Sequence, residues 1–395
     1  MTPQTTRVWL WLHKWSSLIC TVFMLLLCLT GLPLIFHHEL GHWLGTEMQA
    51  PPLPAGVAAR AVTLDEAVAV AQRVHPDRVA QYASPEEDSD DLWRVTMAPT
   101  PAPTDDFRLV VVDARTGDYL GTPPLHSGFL WIMFKLHVDL FAGLAGKLFL
   151  GLMGVLLLVS LISGTVLYAP FMRKLAFGTV RRGSARPASG QEDDRARKQR
   201  AAQRRLKWLD LHNLLGIVLL AWLFVVGGTG VINTWADLLV KYWQHDQLSA
   251  YLAPYKGQPT VPPGERAPIH QALQAAQEAV PDARLYFMAF PGTAFASPHH
   301  YVFFMRGNTP LTAHLPRPVL VDARTAQVTA APLLPWYLTA LLMSRPLHFG
   351  DYGGWPMQIL WALLDVLSII VLGSGIYLWL KKGNKTAKAD SARRR

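Results

Sequence analysis

Four apolar runs decide what this chain can fold into. Leu18–Phe36 holds 19 residues, Leu148–Met172 holds 25 and Leu214–Trp235 holds 22, all without a charge; Trp355–Leu380 holds 26 with Asp365 as its one charged residue. In hydrocarbon every backbone N–H and C=O must be satisfied within its own segment, so a bilayer core takes about 20 apolar residues as helix. Each run has that length. The sequence predicts an α-helical membrane protein with four transmembrane helices. The first run is longer than the core of a secretory signal, and no small-x-small cleavage site follows it closely, so it reads as a retained helix.

Charge placement orients those helices. The formal net charge is +9; twelve Lys or Arg lie between Phe171 and Asp210, and seven more follow Leu380. Basic residues near helix ends stay cytoplasmic. The basic run is therefore a topology signal with lipid-headgroup contact rather than a nucleic-acid site. The expected order is a cytoplasmic N-terminus with helix one (1–38), an outer module (39–145), helix two (146–172), a basic cytoplasmic loop (173–210), helix three (211–236), a second outer module (237–354), helix four (355–380) and a basic cytoplasmic tail (381–395). The two cysteines, Cys20 and Cys28, both fall in the first helix. The outer modules thus have no disulfide framework and no CxxCH haem attachment.

The chain repeats itself. His13 precedes Thr30-Gly31 by 17 and 18 residues, and His212 precedes Thr229-Gly230 by the same intervals. His137 precedes Ser163-Gly164 by 26 and 27 residues, as His348 precedes Ser374-Gly375. "VVVDARTGDYLG" at 110–121 answers "VLVDARTAQVTA" at 319–330. The fold is a tandem duplication, helix–outer domain–helix, twice. Each outer module opens on an amphipathic helix, "TLDEAVAVAQRVHPD" or "PIHQALQAAQEAVPD". Alternating strand patterns follow, such as "LWRVTMAP", "FRLVVVDA", "HYVFFMRG" and "RPVLVDA", with a turn after VDAR. Each module reads as small α+β with an antiparallel sheet.

Of fourteen histidines, four occupy equivalent places in the two halves: His13, His137, His212 and His348. Topology puts His13 and His212 at the cytoplasmic ends of helices one and three, and His137 and His348 on the outer side before helices two and four. Duplicated units pack about a pseudo-twofold axis, which would bring His13 to His212 and His137 to His348. Each pair could grip one planar iron cofactor from both faces, since imidazole suits iron and bundle cofactors are held by side chains on facing helices. Gly31 lies five turns from His13, on the same face, as Gly230 does from His212. These glycines either let the outer cofactor lie close to helices one and three or serve close helix packing. His37, His38, His42 and His126 lack partners in the second half and read as substrate-facing or interfacial. His299, His300 and His314 read as solvated loop histidines or, further back, as substrate contacts. Asp365 in "LWALLDVLS" is costly at mid-membrane; it is protonated, hydrogen-bonded to a neighbouring helix, or part of a proton or quinol site.

The order "LHKW…TGL", "VVVDARTG", "LHVDLF…SGTVLY", then the same again, resembles the PepSY-associated transmembrane proteins, and within them the ferrisiderophore reductases of the FoxB type. The resemblance covers nearly the whole chain except the basic loop and tail. It implies a multi-pass protein of the bacterial inner membrane with both termini cytoplasmic, two periplasmic PepSY-like modules, two b-type haems and reduction of a ferric siderophore at the periplasmic face. His13, His137, His212 and His348 are its haem-ligand candidates. "LHNL" at helix three replaces "LHKW", and "LHFGDYGG" is richer in glycine than "LHVDLFAG". No GxGxxG follows a strand, so the electrons come from a separate donor, a membrane quinol or a cytoplasmic reductase. The rival readings are a non-redox binding or regulatory protein whose helices only anchor its modules, and, further back, a permease for iron complexes.

Overall fold

The apolar runs set the helices of this computed structural model, which describes residues 1–53, 55–56, 58–86, 90–172, 176–181, 194–309 and 312–393. Arg173, Lys174, Arg182 and Arg186 of the basic loop, and Arg394 and Arg395 of the tail, lie outside the described residues. The helices are α1 (Pro3–Ile35), α2 (His37–Trp43), α3 (Leu64–Val74), α4 (Gly128–Val138), α5 (Gly143–Met172), α6 (Asp194–Val218), α7 (Leu220–Thr234), α8 (Ala236–Trp243), α9 (Ser249–Leu252), α10 (Ile269–Ala279), α11 (Trp336–Phe349) and α12 (Gly354–Arg393). The strands are β1 (Val79–Pro85), β2 (Leu92–Ala98), β3 (Arg108–Asp113), β4 (Tyr119–Gly121), β5 (Ala283–Ala289), β6 (His300–Gly307), β7 (Arg317–Asp322) and β8 (Val328–Ala330). The chain divides into two compact units: Met1–Phe36, Ile132–Trp235 and Ser344–Arg395 form the first, and His37–Trp131 with Ala236–Met343 form the second.

The first unit is helical. Pro3–Ile35, Gly143–Tyr168 and Asp351–Lys381 are each long and apolar enough to cross a membrane. The third apolar run falls on Arg197–Val218 and Leu220–Thr234, a pair bent by 66° that makes a fourth span only if counted as one. The expected straight third helix is thus broken at Leu219. The helical hydrogen bonds continue across the bend, Leu219 N donating to Leu215 O (2.9 Å) and Leu223 N to Leu219 O (2.9 Å). Around the unit α1 packs on α5 and α12, α12 on α6, and α5 on α7. The expected outer modules ended at 145 and 354, whereas the units divide after Trp131 and Met343. The chain past those points is apolar helix seated on α1 and α7, which puts His137 and His348 among the helices.

The second unit contains one continuous antiparallel sheet in the order β4-β3-β2-β1-β5-β6-β7-β8, where two separate sheets were expected. Its centre is the β1–β5 pairing, with Tyr82 opposite Ala289 and Ala83 opposite Met288. A β1 or β5 left unpaired would be an exposed edge, and joining them removes both edges. The duplication survives in detail: the β1 irregularity between Ala80 and Tyr82 recurs in β5 between Leu285 and Phe287. Helices α3 and α10 cover one face, burying Ala67, Ala71, Ala272 and Ala276 against Val95, Val110, Phe303 and Val319. The opposite face of the second half is filled by Trp243, Leu248, Leu338 and Leu341 over Val302, Phe304 and Leu320.

Local signals explain the element ends. Thr63 and Glu66 form a reciprocal capping box at the start of α3. In both VDAR turns the aspartate stops the strand by binding the backbone ahead: Asp113 Oδ1 accepts from Arg115 N (2.8 Å), and Asp322 Oδ1 from Arg324 N and Thr325 N (both 2.9 Å). Helix α10 follows Pro268, which offers no side-chain cap. Asp65 of α3 supplies it, accepting from Ile269 N (2.7 Å) and His270 N (2.8 Å) and pairing with His270 Nδ1 (3.0 Å). Asp65→Ala should therefore destabilise the second unit by about 1–2 kcal/mol, the usual cost of an N-cap. Denaturant titration of the whole protein checks this, and an unchanged midpoint would remove the cap from the account.

His300 differs from its expected solvated loop. It is the first residue of β6, opposite Asp322, fully buried, with Nδ1 2.6 Å from Ser297 Oγ and its ring edge-on to Tyr255 at 4.4 Å. Burial pushes its imidazole down to about 4 from an ordinary 6.5. The unfolded chain takes up a proton near pH 6.5, the folded one only near pH 4, so stability falls as pH drops between those values and is fully present above them. Leu92 stands at the equivalent place in the first half, opposite Asp113. His300→Leu should flatten this component, read as the loss in denaturation midpoint between pH 7 and pH 5; equal losses in both proteins would exclude it.

Candidate functional site

The first unit brings the duplicated histidines together in two pairs. His13 of α1 and His212 of α6 have ring centres 6.4 Å apart with planes at 69°. His137 near the end of α4 and His348 near the end of α11 have ring centres 6.1 Å apart at 64°. The glycine-rich segment after His348 leaves its geometry matched to that of His137.

Each imidazole is fixed through Nδ1 by a neighbouring helix. His13 Nδ1 donates to Ser160 O (2.9 Å) and lies 3.3 Å from Ser163 Oγ. His212 Nδ1 lies 2.8 Å from Ser374 Oγ and donates to Val371 O (3.2 Å). His348 Nδ1 donates to Val226 O (2.9 Å), with Thr229 Oγ1 at 3.4 Å. His137 repeats that arrangement with the Leu27 carbonyl and Thr30 Oγ1 (3.1 Å). A carbonyl accepts only from N–H, so each ring holds its proton on Nδ1 and keeps its Nε2 lone pair for an electrophile. Metal-binding histidines are held in this way, with the second nitrogen donating to a backbone carbonyl.

The glycines complete the seats, with a role the sequence did not disclose. A Cβ on Gly31 would sit 3.0 Å from His137 Cε1, and one on Gly230 3.1 Å from His348 Cε1. A Cβ on Gly164 would sit 3.0 Å from His13 Cε1, and one on Gly375 3.6 Å from His212 Cε1. Gly31 and Gly230 thus make room for an imidazole arriving from another helix. The spacing from His13 to Thr30-Gly31 is the rise from one histidine level to the next. Ser163, Gly164, Ser374 and Gly375 belong to the site as well. The repeated "SG" marked them, but only the fold shows that "SG" seats the histidine of the odd-numbered span and "TG" that of the even one.

Two imidazoles holding one metal at about 2 Å each, with roughly 1.2 Å from nitrogen to ring centre, place their centres roughly 6.4 Å apart. Both pairs meet that spacing. Among the described residues no group of three or more His, Cys, Asp or Glu is placed to hold a bare ion. Two facing imidazoles suit an iron that brings its remaining donors with it, as haem iron does.

The remaining histidines have other company. In the second unit His38 Nδ1 pairs with Glu47 (3.0 Å), and His42 and Arg94 approach the same carboxylate at 3.8 and 3.7 Å. Burial pushes the Glu47 carboxyl up, but His38, His42 and Arg94 together bring it below the usual range. His37 packs on His38 at 4.1 Å, and His126 on Phe107 at 5.6 Å. Arg94 also pairs with Glu86 (2.7 Å) and lines a cavity of about 290 Å³ with Tyr82, Ser84, Thr96, Leu109 and Phe287.

Residues 10–382 match the family model described as the PepSY-associated TM region. Over 281 residues the chain is 25% identical to an uncharacterized protein of Pseudomonas aeruginosa, PA4219. That alignment takes in 66% of this chain and 65% of the relative, so the chain spans about 65% of the length of the relative it matches.

Proposed function

Because the chain belongs to the PepSY-associated transmembrane family, we propose that it is a di-haem oxidoreductase of the bacterial inner membrane. It carries electrons from a quinol or a cytoplasmic reductase to a ferric siderophore on the periplasmic side and releases Fe(II). The observation that carries this reading is the pairing of four duplicated histidines, each with Nδ1 bonded to a helix and ring centres 6.4 and 6.1 Å apart. The likeness of its motifs to FoxB-type reductases supplies the substrate class.

His13 with His212, and His137 with His348, would hold two b-type haems through the Nε2 atoms that their Nδ1 bonds leave free. Bound haem supplies a one-electron Fe(III)/Fe(II) couple tuned by ligation and burial. The protein's own work is to orient. The carbonyls of Ser160, Val371, Leu27 and Val226 fix each tautomer, the four glycines seat each ring, and the apolar helices exclude water. No acid, base or nucleophile is needed. Hard oxygen donors hold Fe(II) far more weakly than Fe(III), so one electron frees the metal and leaves the siderophore intact. The four apolar runs serve as four spans with both termini cytoplasmic, the bent α6–α7 pair acting as one of them. The anchor-only reading gives the paired imidazoles no task.

Protein purified in detergent from haem-sufficient cells should show a Soret band, sharp α bands after dithionite and two haems per chain. His→Ala at 13, 137, 212 or 348 should each remove about one. His13→Ala and His212→Ala should leave one spectrum, and His137→Ala and His348→Ala the other. The reduced protein should be reoxidised anaerobically by ferric siderophores. A colourless protein sinks the reading, and loss of the same haem from His13→Ala and His137→Ala sinks the pairing.

A further inference from the structure

The seam between α1 and α12 holds a polar group that the paired histidines do not use. Asp365, the one charge in the four apolar runs, is 7% exposed. The Cys28 thiol of α1 donates to its carboxyl, and Oδ2 is buried with no hydrogen-bond partner. Ser368, one turn on, is also buried, its hydroxyl donating to Leu364 O (2.8 Å).

The duplication supplies a control. The equivalent seam lies between α7 and α5, where Gly227 replaces Cys28, Gly154 replaces Asp365 and Leu157 replaces Ser368. There the helices close on each other: a Cβ on Gly154 would lie 2.7 Å from Val231 Cγ2, and one on Gly227 3.2 Å from Leu157 Cδ2. Helix packing at this position therefore needs no acid. A thiol, a carboxyl and a hydroxyl stand in one seam where the other has only glycine and leucine.

Position along the helices points to a purpose. Cys28 precedes Gly31, which seats His137, by three residues, or roughly 4.5 Å of rise. Asp365 follows Trp361, whose Nε1 donates to His348 O (3.2 Å), by four residues, or roughly 6 Å. Asp365 also precedes Ser374, beside His212, by nine residues, or roughly 13 Å. The carboxyl thus stands between the two histidine levels and about one turn from the His137–His348 pair. The titratable group against it is Cys28 from α1; of α6, which also packs on α12, the residues after His212 are uncharged, as is the apolar run that continues into α7.

We propose that Asp365, with Cys28 and Ser368, is a redox-linked proton site of the His137–His348 centre. This rests on the di-haem reading. A ferric porphyrin held by two neutral imidazoles carries a net positive charge at its iron, and an adjacent carboxylate neutralises it. One electron from the inner donor removes that charge and leaves the carboxylate uncompensated in an apolar seam. It then takes up one proton from bulk hydronium, which is left as water, forming an O–H bond on Oδ2; on reoxidation that bond breaks and the proton returns to the solvent. Each turnover moves one electron and one proton, so the seam stays near neutral in both states.

The test is a mediated redox titration of the detergent-purified holoprotein at several pH values. The step lost in His137→Ala identifies the centre. In the wild type its midpoint should fall with pH by up to about 59 mV per unit, a tenfold change in proton activity converted for one electron. Asp365→Asn should flatten that slope and leave the His13–His212 centre unchanged, whereas Asp365→Glu should keep it. The reduced-minus-oxidised infrared spectrum should gain a protonated-carboxyl band in the wild type and lack it in Asp365→Asn. Equal slopes and equal carboxyl bands in wild type and Asp365→Asn overturn this proposal alone. A protein without haem overturns the di-haem reading, and this proposal with it.

Discussion

An imidazole in an apolar helix bundle must give its N–H to something, and in such a bundle the nearest acceptors are backbone carbonyls already used by a helix. The rest of the helical unit follows from that need. A ring reaches a helix carbonyl only if it lies against the helix backbone, which requires a residue without a side chain at that point. Gly164 and Gly31 give that room to His13 and His137, and Gly230 to His348. The Ser or Thr before each glycine folds its hydroxyl back onto its own helix, as Ser163 Oγ does to Val159 O (2.8 Å) and Thr30 Oγ1 to Leu26 O (2.8 Å). That hydroxyl stays beside the ring nitrogen without competing for its space. One physical requirement therefore accounts for the histidine, the hydroxyl and the glycine together.

Duplication gives each of these arguments an internal comparison. Where both halves keep a residue, both meet the same constraint, as in the two VDAR turns and the irregularities of β1 and β5. Where they differ, the constraint has been lifted in one half. Leu92 and His300 occupy one strand position, and only the second buries a titratable ring. Gly154 and Asp365 occupy one helix position, and only the second places a carboxyl in the seam.

Much of this was legible in the sequence, because period and spacing are backbone properties. The 20-residue apolar runs, the amphipathic α3 and α10, the alternation of β2, β3, β6 and β7 and the four repeated histidines all follow from local pattern. What was not legible depends on contacts between distant segments. Nothing in "VAQYASP" or "ARLYFMA" says that β1 and β5 pair with each other and fuse two sheets into one. The break at Leu219 lies inside an unbroken apolar run. The equal spacing of His13 to Gly31 and of His212 to Gly230 suggested room for the outer cofactor or close helix packing, whereas each glycine makes room for an imidazole from another helix. His300 opens the strand pattern "HYVFFMRG", but its burial comes from pairing opposite Asp322 and packing on Tyr255, contacts that local pattern does not reveal.

The sheet carries the same logic to the second unit. Both halves turn one face to α3 and α10, and that face is apolar in both. On the other face the halves part. Phe287, Ala289, Val302 and Phe304 of the second half correspond to Tyr82, Ser84, Arg94 and Thr96 of the first. An arginine in place of valine cannot lie under an aromatic cover without a counter-charge. Glu86 and Glu47 supply one, and Glu47 lies just beyond the short α2, where the second half has α8 and Trp243. The cover is then polar and thin, and a cavity of about 290 Å³ remains above Arg94. One face holds the duplicated fold together, and this leaves the other free to diverge: apolar and closed in the second half, charged and open in the first.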